Sequence, residues 1–570
     1  MNKISLLFGL LLTMSLSVFA QKDVVPAPKG WHLLDKEKDG YYGISLDKAY
    51  DFVNAKKIKS KTVVVAVIDS GIDTLHEDLK PNIWINEKEI PGNKIDDDKN
   101  GYIDDVYGWN FIGGKDGSNV KEDSYEAARV FHKFKSKYDG KDVDEEALKA
   151  ADKNEYKEYT EWKRAKLKVM GNPDEDGGGA DIAVLNKVKQ NLAKSDSVLK
   201  IALAKETYTG EELESYLGKT DEEKKAKASL FGLMKANNSL DQSNVEFLKG
   251  LSDYIDGEIR KEEAKNNPPK EYRKEVVQDD ETNFNDRFYG NGDVMASTPF
   301  HGTHCAGIIG ADRSTEVGIK GVANNVKLMM IRAVPDGDEH DKDIALAIRY
   351  AVDNGAQIIS MSFGKGFSPE KYWVDDAVKY AESKNVLLVH AAGNDNKDID
   401  VEPNFPCAGF EDGKGRAKTW ITVGASGDPT NGGIKANFSN YGKKEIDVFA
   451  PGVQIYSTIP GGNTYGNASG TSMACPVVAG TAAFLLSHYP TLSAKQLKQI
   501  IEKSAVAPDV EATIEGKEGT VKLSELSITG GIVNAYEAVK LASVTKGERI
   551  VKITKPVKAV KKAPIKKAKK

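Results

Sequence analysis

Four polar residues, far apart in the chain, have the types and settings that nucleophilic catalysis needs. A serine hydroxyl becomes a nucleophile when a base takes its proton, a third group orients that base, and fixed donors receive the developing oxyanion. Ser472 lies in Asn-Ala-Ser-Gly-Thr-Ser-Met-Ala-Cys-Pro, where a Gly/Thr turn enters an apolar, small-residue helix with Pro476 expected in its first turn. The hydroxyl is thus expected at a helix N-terminus, where backbone N–H groups and the dipole favour negative charge. His301 heads His-Gly-Thr-His-Cys-Ala-Gly-Ile-Ile-Gly, whose small residues suit a tightly packed helix. Asp69 directly follows the β-branched run 62–68, and α/β sheets place functional groups at the carboxyl ends of their strands. Asn394, in Val-His-Ala-Ala-Gly-Asn-Asp, offers a side-chain amide that could complete an oxyanion hole with the Ser472 N–H.

Each segment has a blander reading alone. An aspartate after a strand is often a turn residue. His301 and His304 could ligate a metal, but no third ligand falls at a matching spacing, so the chemistry calls for no cofactor.

The elements that must position these groups follow from hydrophobic patterning. Continuous apolar runs at 62–68, 326–331, 358–361 and 386–389 read as parallel strands covered on both faces. Helical patterns at 343–354 and 373–383 alternate with them. The fold class is therefore α/β, a parallel central sheet with helices on both faces. Residues 115–275 differ, being rich in Lys, Glu and Ala. Leu185, Val188 and Leu192 share a helical face, as do Leu213, Tyr216 and Leu217; Thr220 with Glu223 has capping-box spacing, and 171–179 is a Gly-rich breaker. This stretch reads as a helical insertion. The domain organisation is then 1–20 signal peptide, 21–114 first catalytic part, 115–275 insertion, 276–545 second catalytic part and 546–570 a Lys-rich, disordered tail.

Taken in order, the four segments resemble the blocks of the subtilisin-like serine peptidases, the subtilases. Val-Ala-Val-Ile-Asp-Ser-Gly is similar to the family's Asp block, His-Gly-Thr-His-Cys-Ala-Gly to its His block, Ala-Ala-Gly-Asn to its oxyanion block and Gly-Thr-Ser-Met-Ala-Cys-Pro to its Ser block. The chain order Asp, His, Ser agrees. The resemblance covers roughly residues 40–114 and 275–545. It implies a subtilisin-like fold and a serine endopeptidase acting through an acyl-enzyme. His301 would take the Ser472 proton, Asp69 hold the His301 tautomer, and Asn394 with the Ser472 backbone bind the oxyanion. Ser360, Ser362, Phe363 and Gly364 would belong to the strand that pairs with substrate backbone. Ala391, Ala392 and Gly393 would form the other wall of the P1 side-chain pocket, with Asn404 near its base. Three departures stand out: a long insertion between Asp69 and His301, too little chain before Asp69 for the usual inhibitory propeptide, and too little after Ser472 for an added β-sandwich.

Asp96, Asp98, Asn100, Tyr102 and Asp104 place oxygen ligands at alternate positions around Gly101, like the first half of a calcium loop; the alternative is a solvated Asx-rich turn. A second acidic run, Asp336 to Asp343, reads as a solvated loop or as a preference for basic residues N-terminal to the cleaved bond. Lys3 and the apolar stretch to Ala20 read as a secretory signal, giving a periplasmic or extracellular protein with no transmembrane segment after cleavage. Net charge is −5, which points to no nucleic-acid partner. The acid-free Lys-rich tail is either solvated or held at an anionic surface. With three cysteines there is no disulfide scaffold; Cys305 and Cys475 are either neighbours that pair or small buried hydrophobes. Competing readings are a silent binding scaffold, an esterase on the same triad, and an insertion acting as an interaction module or gate over the cleft.

Overall fold

The computed structural model describes residues 27–549 except 172–180, 238, 297, 316–317, 430–431 and 515. The expected signal peptide, most of the 171–179 breaker and the tail from 550 onward lie outside the described residues.

Seven parallel strands form the central sheet in the order β2-β3-β1-β4-β5-β6-β7. They are β1 (Val63–Asp69), β2 (Gly108–Asn110), β3 (Val326–Arg332), β4 (Ile358–Met361), β5 (Leu387–Ala391), β6 (Trp420–Ser426) and β7 (Val448–Pro451). A hairpin of β8 (Ile455–Ile459) and β9 (Thr464–Ala468) stands apart and leads into the Ser472 segment. The period-2 side-chain alternation explains why the strands read as unbroken apolar runs. Along β1, Val63, Val65 and Val67 enter one core while Ala66 and Ile68 enter the other. The first core is covered by α6 (Phe300–Gly310) and α9 (Thr471–His488), the second by α7 (Asp341–Asp353) and α8 (Lys371–Ser383). Helix α9 is long and apolar enough to cross a membrane, yet 94% of it is buried, because it is the central helix of this core.

The four strands read from sequence are present, shifted by at most two residues, and the two catalytic-unit helices begin two residues early. The three-residue strand β2 was not expected, nor were strands β6 and β7. Their buried small residues, such as Gly424, Ala425 and Ala450, leave a weak apolar signal.

The insertion carries α1 (Glu126–Tyr138), α2 (Lys153–Met170), α3 (Ile182–Leu203), α4 (Asp221–Ala236) and α5 (Asn244–Glu263), with shorter helices between. It carries two apolar clusters, one under α1 and α2 that also takes in Phe367 of the catalytic unit, and one among α3, α4 and α5. Thr220 caps α4 by accepting from the Glu223 N–H, but Glu223 turns to the Lys219 N–H and Tyr216 hydroxyl, so the box is only half closed. Leu213 is buried as its spacing suggests, while Leu217 is 87% exposed because the helix ends at Ser215.

Candidate active site

Because the sheet is parallel and β1, β4 and β5 are neighbours, their carboxyl ends bring Asp69, Ser362 and the Ala391–Asn394 segment to one edge. Asp69 ends β1 and is 2% exposed. Its Oδ1 lies 2.8 Å from His301 Nδ1 and also accepts from the Ser70 N–H. His301 reaches this position because α6 packs without a spacer against the turn after β1. A Cβ on Gly302 would stand 2.3 Å from the Gly71 carbonyl oxygen and 3.1 Å from Asp69 Oδ1. Any larger residue there would push the helix away. Burial alone would push the His301 imidazole down; the Asp69 carboxylate, and after it Cys305, reverse this and hold it well above its ordinary range. His304 is not a metal partner. Its Nε2 faces the Gly466 carbonyl at 3.1 Å, and burial pushes its imidazole down to about 4.

Ser472 is the second residue of α9, with its Oγ donating to the Ser362 carbonyl at 3.1 Å rather than to His301. Pro476 falls in the second turn of α9, not the first as the sequence suggested. It therefore removes the N–H that would bond the Ser472 carbonyl four residues back. That carbonyl is satisfied sideways instead, by Ser362 Oγ at 2.9 Å and Cys305 Sγ at 3.3 Å. Cys305 Sγ is also 4.0 Å from His301 Nδ1, so one thiol touches both catalytic helices. All three cysteines are free thiols, which leaves Cys305 and Cys475 as buried small hydrophobes.

Asn394 is oriented by Thr471. Its Oδ1 accepts from the Thr471 N–H at 2.8 Å and from the Thr471 hydroxyl at 3.0 Å. This turns Nδ2 toward Gly470, whose hypothetical Cβ would be 3.5 Å from both Asn394 Nδ2 and Ser472 N. Both nitrogens thus lie within 3.5 Å of one point.

Of the expected substrate-binding residues, Gly364 is exposed and Ser362 lies beside Ser472. Ser360 is buried against Cys475 Sγ, because it shares a face with Ser362 but lies two residues deeper along β4, under α9 rather than at the strand's carboxyl end. The Phe363 side chain packs into the second core and against His390, leaving only its backbone near the edge. Ala391 and Ala392 are held by amides, Asn404 donating to the Ala391 carbonyl and Asn440 to the Ala392 carbonyl. Gly393 has φ of +97° and donates to Thr471 Oγ1. Asn404 lies between the two walls, its amide 2.8 Å from where a Gly364 Cβ would be.

The acidic loop is arranged differently from expectation. Asn100 spends its side chain on the Tyr102 N–H and on Asp105. Tyr102 is buried among Trp109, Phe111 and Tyr350. Asp104 accepts from the Gly92 and Lys94 N–H groups. Asp96 and Asp98 instead converge with Glu89, one ligand oxygen of each lying within 4.8 Å of the others. Glu89 is 6% exposed, and its Oε2 is buried with no partner among the described residues. A buried carboxylate oxygen without a donor is costly, so the donor set fits a hard cation. Much of the second acidic run is engaged in ion pairs, although Asp336 and Asp338 are only partly buried. Asp341 pairs with Lys365 at 2.9 Å, Asp343 with Arg273 at 2.7 Å and Asp336 with Arg260 at 3.3 Å.

An α/β protein with a buried carboxylate on a histidine, and a serine at a helix N-terminus beside two amide donors, has the constellation of a serine hydrolase. The sequence model of the subtilase family matches residues 60–525, and the chain belongs to this family of serine peptidases. A thermophilic serine proteinase from Bacillus sp. (strain AK1) is 41% identical over 206 residues, 36% of this chain and 46% of that protein. Subtilisin DY from Bacillus licheniformis is 39% identical over 208 residues, 36% of this chain and 70% of the relative. Thermitase from Thermoactinomyces vulgaris is 35% identical over 254 residues, 44% of this chain and 79% of the relative. The matched stretch thus spans less than half of the first of these proteins. Among solved structures, a protease from Pseudoalteromonas arctica aligns over 90% of this chain and 96% of its own at 20% identity, with a TM-score of 0.44.

Proposed function

We propose that this chain is an exported serine endopeptidase that cleaves peptide bonds through Asp69, His301 and Ser472. Rotation of Ser472 about Cα–Cβ moves Oγ from the Ser362 carbonyl to His301 Nε2, which takes its proton as Oγ attacks the scissile carbonyl. Asp69 keeps the Nδ1–H tautomer and stabilises the imidazolium. The tetrahedral oxyanion is received by Asn394 Nδ2 and the Ser472 N–H, preset by Thr471. His301 then protonates the leaving amine, and water resolves the acyl-enzyme by the same steps. The substrate backbone N-terminal to the cleaved bond pairs with Ser362–Gly364, and its P1 side chain lies between that strand and Ala391–Gly393 above Asn404.

The observation that carries this reading is the 2.8 Å contact of His301 Nδ1 with buried Asp69 at the sheet edge that also presents Ser472. Labelling by a fluorophosphonate probe, with peptide cleavage, tests it. Ser472→Ala should abolish labelling and lower kcat by about 10⁶-fold. Asn394→Ala should lower kcat by ~10²–10³ with KM little changed. Cleavage that survives Ser472→Ala defeats the proposal. Export rests on the N-terminal segment alone, and the enzyme would then act in the periplasm or outside the cell. Glu89, Asp96 and Asp98 would hold a calcium ion, which on binding supplies a structural cross-link and takes no part in the chemistry.

A further inference from the structure

The three residues that follow the Ser362–Gly364 edge are all held by the first two long helices of the insertion. Lys365 Nζ lies 2.7 Å from Glu126 Oε2 of α1. The Gly366 carbonyl accepts from Arg164 of α2 at 2.8 Å. Phe367 packs into the apolar cluster under α1 and α2, with the Arg164 guanidinium 4.3 Å from its ring centre. Three consecutive residues thus meet one helix pair by charge, by hydrogen bond and by apolar contact.

Lys365 is 5% exposed, and its ammonium has no donor to spare. Its three N–H groups face three oxygens: Glu126 Oε2, Asp341 Oδ1 at 2.9 Å and the Glu339 carbonyl at 2.7 Å. A side chain locked in this way fixes the backbone that bears it. That backbone exchanges both hydrogen bonds with Phe405, at 3.0 and 2.8 Å. Beside Phe405, the Asn404 amide reaches from the Gly364 edge to the Ala391 carbonyl at 3.2 Å. Lys365 therefore acts at one point on the edge, on the residue near the pocket base and, through it, on the opposite wall. Past Met361 the edge has left the ladder of β4 with β1 and β5, so the bridge and the helix pair take over its positioning.

We propose that α1 and α2 of the insertion, acting through Lys365, set the width of the P1 pocket and so its selectivity among P1 side chains. The inference rests on the peptidase reading. In it Arg164 and the Lys365 side chain are positioning groups, remote from the reacting atoms. A pocket separates side chains that differ by a carbon or two only while its walls keep their spacing, and one methylene is then worth about 10–200-fold. Walls free to part admit large and small side chains alike. The triad is carried by β1, α6 and α9, none of which the helix pair holds at these three residues, so its chemistry should be largely spared when the brace is released.

The test uses the full chain and peptides that differ only at P1, running from Ala through Leu to Phe and Tyr. Arg164 is exposed, so Arg164→Met frees the Gly366 carbonyl with little effect on folding. Glu126→Gln with Lys365→Met removes two buried charges together. For each protein kcat and KM are measured across the series, with the melting midpoint and the labelling rate of a small alkyl fluorophosphonate that does not fill the pocket. The spread of kcat/KM across the series should shrink by about tenfold or more in the double variant and by about threefold in Arg164→Met, mostly through KM, while labelling changes less than about threefold. Arg164→Lys, which can still donate, should keep the wild-type spread. A spread unchanged in both variants overturns the inference, as does a wild type with no preference at P1. Rates that fall in equal proportion for every P1 residue and for labelling, in step with a lower melting midpoint, show the brace to be structural only and overturn it too. If the double variant does not fold, Arg164→Met decides alone. A wild type that neither labels nor cleaves any peptide overturns the peptidase reading and this one with it.

Discussion

At the scale of single residues, the Ser472 carbonyl shows how a helix can be made to hold a nucleophile at a fixed height. Pro476 withholds the intrahelical donor, and Ser362 Oγ with Cys305 Sγ replaces it from β4 and α6. The nucleophile is thereby tied to the segment that pairs with substrate and to the helix that bears its base. Ser362→Ala leaves this carbonyl with the weaker thiol donor alone. We expect a loss of about 1–2 kcal/mol in stability and a several-fold lower kcat, since a buried acceptor is left poorly satisfied. Pro476→Ala in that background restores an N–H donor and should recover part of the stability. Melting midpoints and kcat of the three variants check this; no change on Ser362→Ala would show the hydroxyl to be idle. The pH profile follows from His301. The base acts only when neutral, and its imidazole is held above its ordinary value of 6.5. Activity must therefore fall as pH drops through that raised value, placing the acid limb of kcat/KM above 6.5. Asp69→Asn should move the limb downward and lower kcat by about 10⁴-fold; an unmoved limb would mean that Asp69 does not set the His301 proton affinity. The segments of Asp69, His301, Asn394 and Ser472 were legible in the sequence because each couples a reactive group to a local setting. The Ser362 and Cys305 roles were not, although a proline four residues after a serine in a helix does announce an acceptor in need of a donor.

At the scale of elements, the loop between β1 and β2 carries the most unusual arrangement of like charges. It is tied to the sheet by the Trp84 N–H to the Leu328 carbonyl, and to α7 by Tyr350 donating to Asp105. Burial raises the Asp105 carboxyl to about 6. Beside it, Glu89, Asp96 and Asp98 have Lys88 as a nearby cation, and Lys88 is largely exposed. Alternate spacing pointed to this loop and to Asp96 and Asp98, whereas Asn100, Tyr102 and Asp104 are engaged elsewhere and Glu89, which joins the proposed set, lies before the repeat. Chelation should lower the melting midpoint of the wild type, and saturating calcium at ~100 times its dissociation constant should restore about 2.7 kcal/mol. Glu89→Gln should abolish the calcium response, read by calorimetric titration as well as by melting. A wild type indifferent to chelator and to added calcium would remove the site. The strands were legible by the same logic that hid part of this loop. A two-faced buried strand such as β1 must be apolar throughout, whereas a ligand set drawn from a folded turn has no fixed period.

At the scale of the whole molecule, the insertion and the catalytic unit are joined by buried charge as well as by Phe367, which enters the apolar cluster under α1 and α2. Lys365, next to the substrate-pairing edge, sits between Glu126 of α1 at 2.7 Å and Asp341 of α7 at 2.9 Å. Arg129 of α1 pairs with Glu126 and donates to the Asp338 and Glu339 carbonyls. None of this was legible, since long-range pairing leaves no periodic trace and the acidic run read as a solvated loop. Removing one member of such a pair strands its partner: Glu126→Gln should destabilise by about 3–5 kcal/mol, with Lys365→Met in the same chain recovering part. The network also has a direction in pH. His340 lies between Asp123 at 3.1 Å and Glu281 at 2.5 Å; burial and Arg129 oppose its charge, yet the two carboxylates lift it to about 9. Glu339 is raised to about 8 by burial. Both groups bind protons more tightly in the folded chain than in the unfolded one, so stability falls wherever they titrate. The His340 contribution is complete below 6.5 and is lost as pH rises through about 9. Melting midpoints of wild type and His340→Gln should therefore differ most near pH 6 and converge above pH 9, with hydrogen exchange in α1 quickening over the same interval. A gap between the two proteins that stays constant, or widens with pH, would mean that the imidazolium is not what fastens α1 to the catalytic unit.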